Sequence, residues 1–433
     1  MRLLFCCQWY APSVGGVQEV IRQVAERLAA RGHEVTVATA ADSRRGTARL
    51  NGVEIAAFRI AGNLVEGLSG EVAAYRRFVR DCGADVVTVK AAQQWSLDGL
   101  LPELEAIRAG KVFIPCGFSG LHEPAYRDYY RRMPEILRRF DHLIFYASDY
   151  RDIRFAKQHG LTHWSLIPNG ADEREFGKLP EPGFRRDHGI GEAELLFLTV
   201  GSLTGLKGHG EVLRAFEWAD WGKRPATLIL NGNVPRGAED LLAAGRRLRA
   251  AIRSRGWAAA AKKAWSVALD RLGCAGLAPE SLPAAAERLH RAQPEKRVLL
   301  TDLPRAELIR AYFAADLFVF ASQVEYSPLV LFEAAAAGTP FLSGPVGNAE
   351  EIAGWTGAGT ICPALADERG YVRVDPAALA RQIADLARDP RRLAEMGAAG
   401  RKNWEARFTW EKITLEYERV LLRAATQKLA SSP

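Results

Sequence analysis

The sequence predicts an α/β protein of two layered units, each a parallel sheet flanked by helices. Three observations carry that expectation. Short extended runs alternate with helical patterns along most of the chain, and such alternation builds parallel sheets. The alternation starts afresh after Ile167-Pro-Asn-Gly-Ala-Asp172. The length of 433 residues exceeds what one core fills and suits two domains of about 200 residues each.

Residues 3–7 read as the first strand, 17–31 as a helix and 33–39 as the next strand. Runs 85–89, 111–116 and 142–147 continue the same sheet. Pro168-Asn-Gly170 marks a turn, and the boundary between the units is placed there. In the second half, 195–200 is a strand, 201–208 a glycine-containing turn and 211–219 a helix. Runs 227–231, 298–301 and 317–321 extend a second sheet. Residues 236–294, rich in Ala and Arg, form a long connection expected to hold two or three surface helices. A closing amphipathic helix starts after Thr409.

Bulk composition narrows the class. At 48% apolar and 25% charged residues the chain matches an ordinary soluble globular protein. No apolar run is long enough to span a bilayer, and the opening residues are expected to be a buried strand and not a cleaved leader. Cysteines 6, 7, 82, 116, 274 and 362 lack metal-ligand spacing, which suggests a reduced, cytoplasmic protein. A net charge of +7 permits an acidic substrate or peripheral contact with an anionic membrane and demands neither. Nucleic acid fits poorly, because no basic stripe or binding motif is present.

The densest chemistry lies at Glu325-Tyr-Ser-Pro-Leu-Val-Leu-Phe-Glu333-Ala-Ala-Ala-Ala-Gly338-Thr-Pro340. Ser327 is expected to cap a short apolar helix, with Pro328 at its first position and Gly338 and Pro340 ending it. Two carboxylates then flank a helix N-terminus. The free N–H groups there attract phosphate, and carboxylates accept hydrogen bonds from hydroxyls. A phosphate-linked sugar or ribose offers both groups. Two further features can supply positive potential where a diphosphate departs. Gly15-Gly16 follows the first strand and opens a helix, and Lys207-Gly208 follows the first strand of the second half. No Asp-x-Asp pair occurs, so the chemistry is expected to need no metal and no cofactor besides the donor.

In order and spacing these elements resemble the retaining glycosyltransferases of family 4, which have the GT-B fold. The resemblance rests on Gly15-Gly16, Pro168-Asn-Gly170, Lys207-Gly208 and Glu325-x₇-Glu333. It extends to Val346-Gly347-Asn-Ala-Glu350-Glu351-Ile352 and the terminal Phe408-Thr-Trp-Glu-Lys. It implies two Rossmann-like domains facing a cleft, residues 1–168 for the acceptor and 169–407 for the nucleotide sugar. Residues 408–433 would cross back to the first domain. It also implies that Glu333 binds ribose hydroxyls and that Glu325 contacts the donor sugar. Lys207, Gly16 and the N–H groups of Leu329 and Val330 would hold the diphosphate, with Gly15, Ser202 and Ser327 beside them.

Where the family has arginine after the first glycine of the lysine loop, this chain has Ser202, and Pro328 replaces a common glycine. Where the family tends to place a histidine near the acceptor, it has Cys116. The nearest histidine is His122, a candidate for orienting a hydroxyl. A UDP-sugar is the expected donor and a GDP-sugar the other option, with a glycan, lipid-linked or small-molecule acceptor. The rivals are a non-catalytic scaffold partner of the same fold, and an epimerase or phosphorylase of similar fold. The aromatic and basic stretch 126–140 reads as a solvated helix over packed tyrosines, and Glu350 and Glu351 as acids favoured by a helix dipole.

Overall fold

In a computed structural model that describes residues 1–203, 205–232 and 280–430, the strand runs assemble into two main sheets. The first runs Trp164–Leu166, His142–Phe145, Gly110–Ile114, Val86–Lys90, Arg2–Cys6, Glu34–Ala40, Val53–Phe58 and Arg49–Leu50. Its pairings are parallel except at the edge, where Arg49–Leu50 returns antiparallel on Val53–Phe58. The second runs Lys296–Thr301, Ala226–Asn231, Leu195–Val200, Leu317–Phe320, Phe341–Ser343 and Gly359–Ile361, all parallel.

The interiors explain the continuous apolar runs. A parallel strand covered on both faces must be apolar on both. Side chains of adjacent residues point to opposite faces, and Cys6 and Cys7 accordingly enter different cores of the first sheet. Full burial of a side chain such as Phe5 or Leu198 stabilises by about 1.5–3 kcal/mol.

Strand order locates the ligand edges. In the first sheet the chain leaves Arg2–Cys6 to one side and returns on the other at Val86–Lys90. In the second, the same reversal falls between Leu195–Val200 and Leu317–Phe320. Open α/β sheets bind ligands outside the C-terminal strand ends at such reversals. The Gly15-Gly16 turn follows the first of these strand pairs, and the loops at 201–208 and 321–328 follow the second.

The chain crosses between the units at one place. Residues 169–172 run beside the π-helical turn Trp404–Phe408, with Ala171 bridged in parallel to Thr409. Ala171 N donates to Phe408 O at 3.0 Å, and Trp404 Nε1 donates to Ala171 O at 3.1 Å. A Cβ on Gly170 would lie 2.2 Å from Phe408 O, so only glycine fits this approach. The last helix, Trp410–Ala430, then lies on the first sheet, where Ile413, Tyr417, Leu421 and Ala424 join the core of Phe5, Val112 and Ile114.

Most elements lie within a residue or two of their expected bounds. The helix expected from residue 211 begins at His209, because Gly208 takes a left-handed φ of +71° and turns the chain early. Of the connection expected at 236–294, the helix Leu282–Ala292 is described, capped by Ser281, while residues 233–279, with Cys274, lie outside the described residues. Arg127–Arg138 buries Tyr129, Tyr130 and Met133 under an exposed basic face. No described helix is long and apolar enough to cross a membrane.

Candidate functional site: the edges of two facing sheets

The second reversal gathers charge by local chain geometry. Gly201 lets the lysine stem pass, since a Cβ there would lie 3.0 Å from Lys207 Cβ. Gly208 closes the loop onto the next strand end, where a Cβ would lie 1.9 Å from Ala321 O. The neighbouring loop is tied to it by Gln323 N donating to Leu206 O at 2.8 Å. Lys207 Nζ therefore meets Glu325 Oε1 in an ion pair, with side chains 27% and 18% exposed. Ser322 Oγ donates to the same carboxylate oxygen at 3.0 Å. Ser202 is half-buried in the lysine loop.

The acidic pair flanks a helix start, although the cap differs from expectation. The helix is Leu329–Ala337 with Pro328 as N-cap (φ −69°, ψ 115°), one residue later than the sequence suggested. Ser327 makes no capping bond: its Oγ is buried without a partner. Its carbonyl accepts from Asn169 Nδ2 at 3.0 Å, which ties this turn to the crossing strand. The first N–H groups of a helix have no acceptor within it, and those of Leu329 and Val330 are such groups. Gly338 ends the helix at φ +74°, as expected.

Glu333, 13% exposed, accepts from Arg305 at 2.7 Å. The same guanidinium pairs with Glu175, just past the crossing. These two carboxylates reinforce the positive charge of Arg305 and outweigh its partial desolvation. Burial first, and the Glu333 charge second, keep the neighbouring Tyr312 hydroxyl neutral. Sequence reasoning missed Arg305. Its only signal is its position on the helix Arg305–Ala314, just after a strand of the second sheet.

The first unit approaches this helix start. A Cβ on Gly16 would lie 3.9 Å from Leu329 Cδ1, so the glycine turn abuts the first side chain of that helix. Gly15 precedes the helix Gly16–Ala30 as its N-cap. Glu351, read from the sequence as a dipole-favoured acid, accepts from Ser148 N at 2.9 Å and from its hydroxyl. It therefore joins the units.

His122 and Cys116 part company. His122 is exposed in its loop, where partial desolvation and then the Arg151 charge lower its pKa. Cys116 is half-buried among Lys90, Tyr146, Tyr326 and Tyr417, and burial pushes its thiol up despite the Lys90 charge. The structure brings Cys116 to the seam between the units, and His122 lies near Arg151, which donates to Arg369 O and Gly370 O of the second unit. Among the described residues, four of the five non-glycine residues with positive φ follow two adjacent strands of the first sheet. They are Ala91 (+68°), Gln93 (+62°), Cys116 (+62°) and Phe118 (+48°). Such backbone is costly and concentrates at functional sites.

Two α/β units with facing ligand edges and a terminal helix returning to the first define the GT-B class. Comparison with known proteins agrees. The model for glycosyl transferases group 1 matches residues 276–403, and that for glycosyltransferase family 4 matches residues 14–175. The chain belongs to the group 1, family 4 glycosyltransferases.

Its relatives include a D-inositol 3-phosphate glycosyltransferase from Segniliparus rotundus, 37% identical over 31% of this chain. A GDP-mannose-dependent α-(1-6)-phosphatidylinositol monomannoside mannosyltransferase from Mycolicibacterium smegmatis is 28% identical over 61% of it. The matches span 28% and 59% of those proteins. Among solved structures, sucrose-phosphate synthase from Thermosynechococcus elongatus shares the fold at a TM-score of 0.67. Both chains are covered completely at 19% identity.

Proposed function

We propose that the protein is a retaining glycosyltransferase that moves a hexose from a nucleotide diphosphate sugar to an acceptor hydroxyl. One observation carries the reading: the Lys207–Glu325 ion pair, the helix that starts at Leu329 and carries Glu333, and the Gly16 turn packed on the Leu329 side chain belong to one cluster at the meeting edges of the two units. Ribose hydroxyls bind Glu333, and the diphosphate lies against Leu329 N, Val330 N, Gly16 and Lys207. Donor entry exchanges partners. Lys207 turns from Glu325 to a phosphate oxygen, and Glu325 is released to accept from a sugar hydroxyl.

In the transfer, the bond from the anomeric carbon to the phosphate oxygen breaks and a bond to the acceptor oxygen forms on the same face. The departing phosphate oxygen takes the acceptor proton. No protein nucleophile is required. Lysine and backbone N–H groups stabilise the developing negative charge, and we assign no step to a metal.

UDP-hexoses remain the expected donors. The name of the mycobacterial relative adds GDP-mannose, and both relatives' names direct attention to inositol-containing acceptors. A thermal-shift panel of UDP, GDP, ADP and their sugars reads the donor, since a ligand that binds only the folded state raises its stability. Glu333→Ala and Lys207→Ala should weaken nucleotide binding, whereas Glu325→Ala should mainly slow transfer. Wild-type turnover in all three variants would overturn the assignment.

A further inference from the structure

Tyr326 directly follows the carboxylate that is to hold the donor sugar, yet its side chain leaves the second unit and enters the first. Its ring stacks with Tyr146 (centroids 5.3 Å apart, planes at 27°) and with Tyr150 (4.9 Å, 31°). Its hydroxyl oxygen accepts the Tyr146 N–H at 2.9 Å. The slot has no room to spare: a Cβ on Gly117 would lie 2.9 Å from Tyr326 Cγ and 3.1 Å from Tyr150 Cε1. Three consecutive left-handed residues shape that wall, Cys116, Gly117 (+85°) and Phe118. Two of them bear side chains and are costly in this conformation. Asp152, fully buried, secures the turn by accepting from Gly117 N at 2.8 Å.

The backbone around the ring is clamped as well. Tyr150 Oη donates to Glu325 O at 2.6 Å. Asn348 N donates to Tyr326 O at 2.9 Å, and Asn348 Nδ2 reaches across to Tyr146 O at 3.1 Å. The peptide that carries the Glu325 carboxylate is thus located from both units, by Tyr150 of the first and Asn348 of the second. Drawing the units apart would remove the stack, the Tyr146 bond and the Tyr150 bond together. Lys207, Glu333 and the N–H groups of Leu329 and Val330 belong to the second unit and need none of these contacts.

We propose that Tyr326 is a positioning residue, a peg whose seating in the Gly117–Tyr146–Tyr150 slot fixes Glu325 and so couples sugar transfer, far more than nucleotide binding, to closure of the cleft. The role rests on the transferase reading above, and its structural half does not. Peg seating lets the acceptor-bearing unit report its arrival to the donor sugar, which limits transfer to water from an open cleft.

The test compares wild type, Tyr326→Phe and Tyr326→Ala in the full chain. Nucleotide affinity for UDP and GDP is measured by calorimetry, transfer and donor hydrolysis by product analysis, and overall dimension by small-angle X-ray scattering. Tyr326→Ala should keep the nucleotide dissociation constant within about threefold and lower kcat about 10- to 100-fold. It should also increase the fraction of donor lost to water and enlarge the scattering radius. Tyr326→Phe, which keeps the stack, should restore most of kcat and the wild-type radius.

Equal kcat in wild type and Tyr326→Ala would overturn the proposal. So would a loss of kcat matched by an equal loss of nucleotide affinity, which is what general misfolding gives. If wild type bound neither nucleotide, the transferase reading would fall. The scattering arm would then decide the peg: equal radii for wild type and Tyr326→Ala overturn it, and expansion in the alanine variant alone supports it.

Discussion

The two facing edges solve different problems with different materials. The second sheet's edge is ionic: Lys207 pairs with Glu325, and Arg305 with Glu333 and Glu175. Its left-handed turns fall on glycines 205, 208 and 347. The first sheet's edge is largely neutral and strained. Tyr129, Tyr130, Tyr146 and Tyr150 supply hydroxyls, Gln93 Oε1 accepts from Ser119, Gly120 and Tyr130, and left-handed backbone carries full side chains. An edge meant for a diphosphate needs charge, whereas one meant for a neutral hydroxyl needs shape. The difference teaches that polarity was assigned by unit, with Tyr326 crossing from the ionic edge into the shaped one.

The largest test strikes the ionic edge. Lys207→Ala removes the cation from a largely buried carboxylate and from the expected diphosphate site. Loss of one preorganised charge partner at a reacting centre costs about 10²–10³ in rate, and kcat measured with the preferred donor should fall by that order. A smaller loss than Tyr326→Ala produces would reverse the ranking of the two edges.

The neutral edge also holds the buried carboxyls of Asp98 and Asp152, and Lys90 is the buried amine that tests it. It is a buried cation whose hydrogen-bond acceptor is the Tyr146 hydroxyl at 2.7 Å, with the thiols of Cys7 and Cys116 beside it. Burial lowers its pKa from 10.5 to about 8, and those thiols oppose the shift. Between these values Lys90 is protonated in the unfolded chain and neutral in the folded one, so its own contribution to stability rises with pH through that window and is lost as pH falls towards 8. Lys90→Met should abolish this rise. Denaturant unfolding from pH 7 to 10.5 should show the wild type gaining on the variant by about 3 kcal/mol. Parallel curves would mean that Lys90 is solvated in the seam.

A matched pair of glycines isolates shape from strain. Gly117 and Gly338 both have left-handed φ, but a Cβ on Gly338 meets nothing closer than 3.7 Å. Gly338→Ala should cost about 1 kcal/mol, the backbone penalty alone. Gly117→Ala should cost about 2–3 kcal/mol, because strain and overpacking against Tyr326 add. Equal losses in thermal unfolding would show that the slot can relax, and would weaken the peg.

Much of the ionic edge was legible because its signals are local. Glu325 and Glu333 are separated by eight positions on one loop and helix, and Gly338 and Pro340 announce the helix end within the same stretch. The alternation of strands and helices gave the two sheets for the same reason. Contacts set by strand order were not legible. Arg305 and Glu333 lie on different helices, and only the order Lys296–Thr301 through Phe341–Ser343 sets those helices side by side. Tyr326 reads in a sequence as one more loop aromatic, since the rings it stacks on, Tyr146 and Tyr150, lie in the other half of the chain. Ser327 misled for a related reason: Asn169 of the crossing holds its carbonyl, and the helix begins a residue later than local propensity indicates.

The smallest effect bears on how ready the ionic edge is before a donor arrives. Arg305 is 42% exposed, and pairs of that exposure contribute at most about 1 kcal/mol, so Arg305→Ala should leave thermal stability nearly unchanged. Nucleotide affinity is the informative readout. If Arg305 holds Glu333 in place for the ribose, its loss frees the carboxylate and leaves Glu175 and Glu333 to repel the diphosphate. Affinity should then fall severalfold, consistent with about 1 kcal/mol, and the loss should shrink as salt screens the two carboxylates. Tighter binding by Arg305→Ala would mean that the guanidinium competes with ribose for Glu333. The second edge would then resemble the first in needing rearrangement before it can work, and the contrast between a ready ionic edge and a gated neutral one would fail.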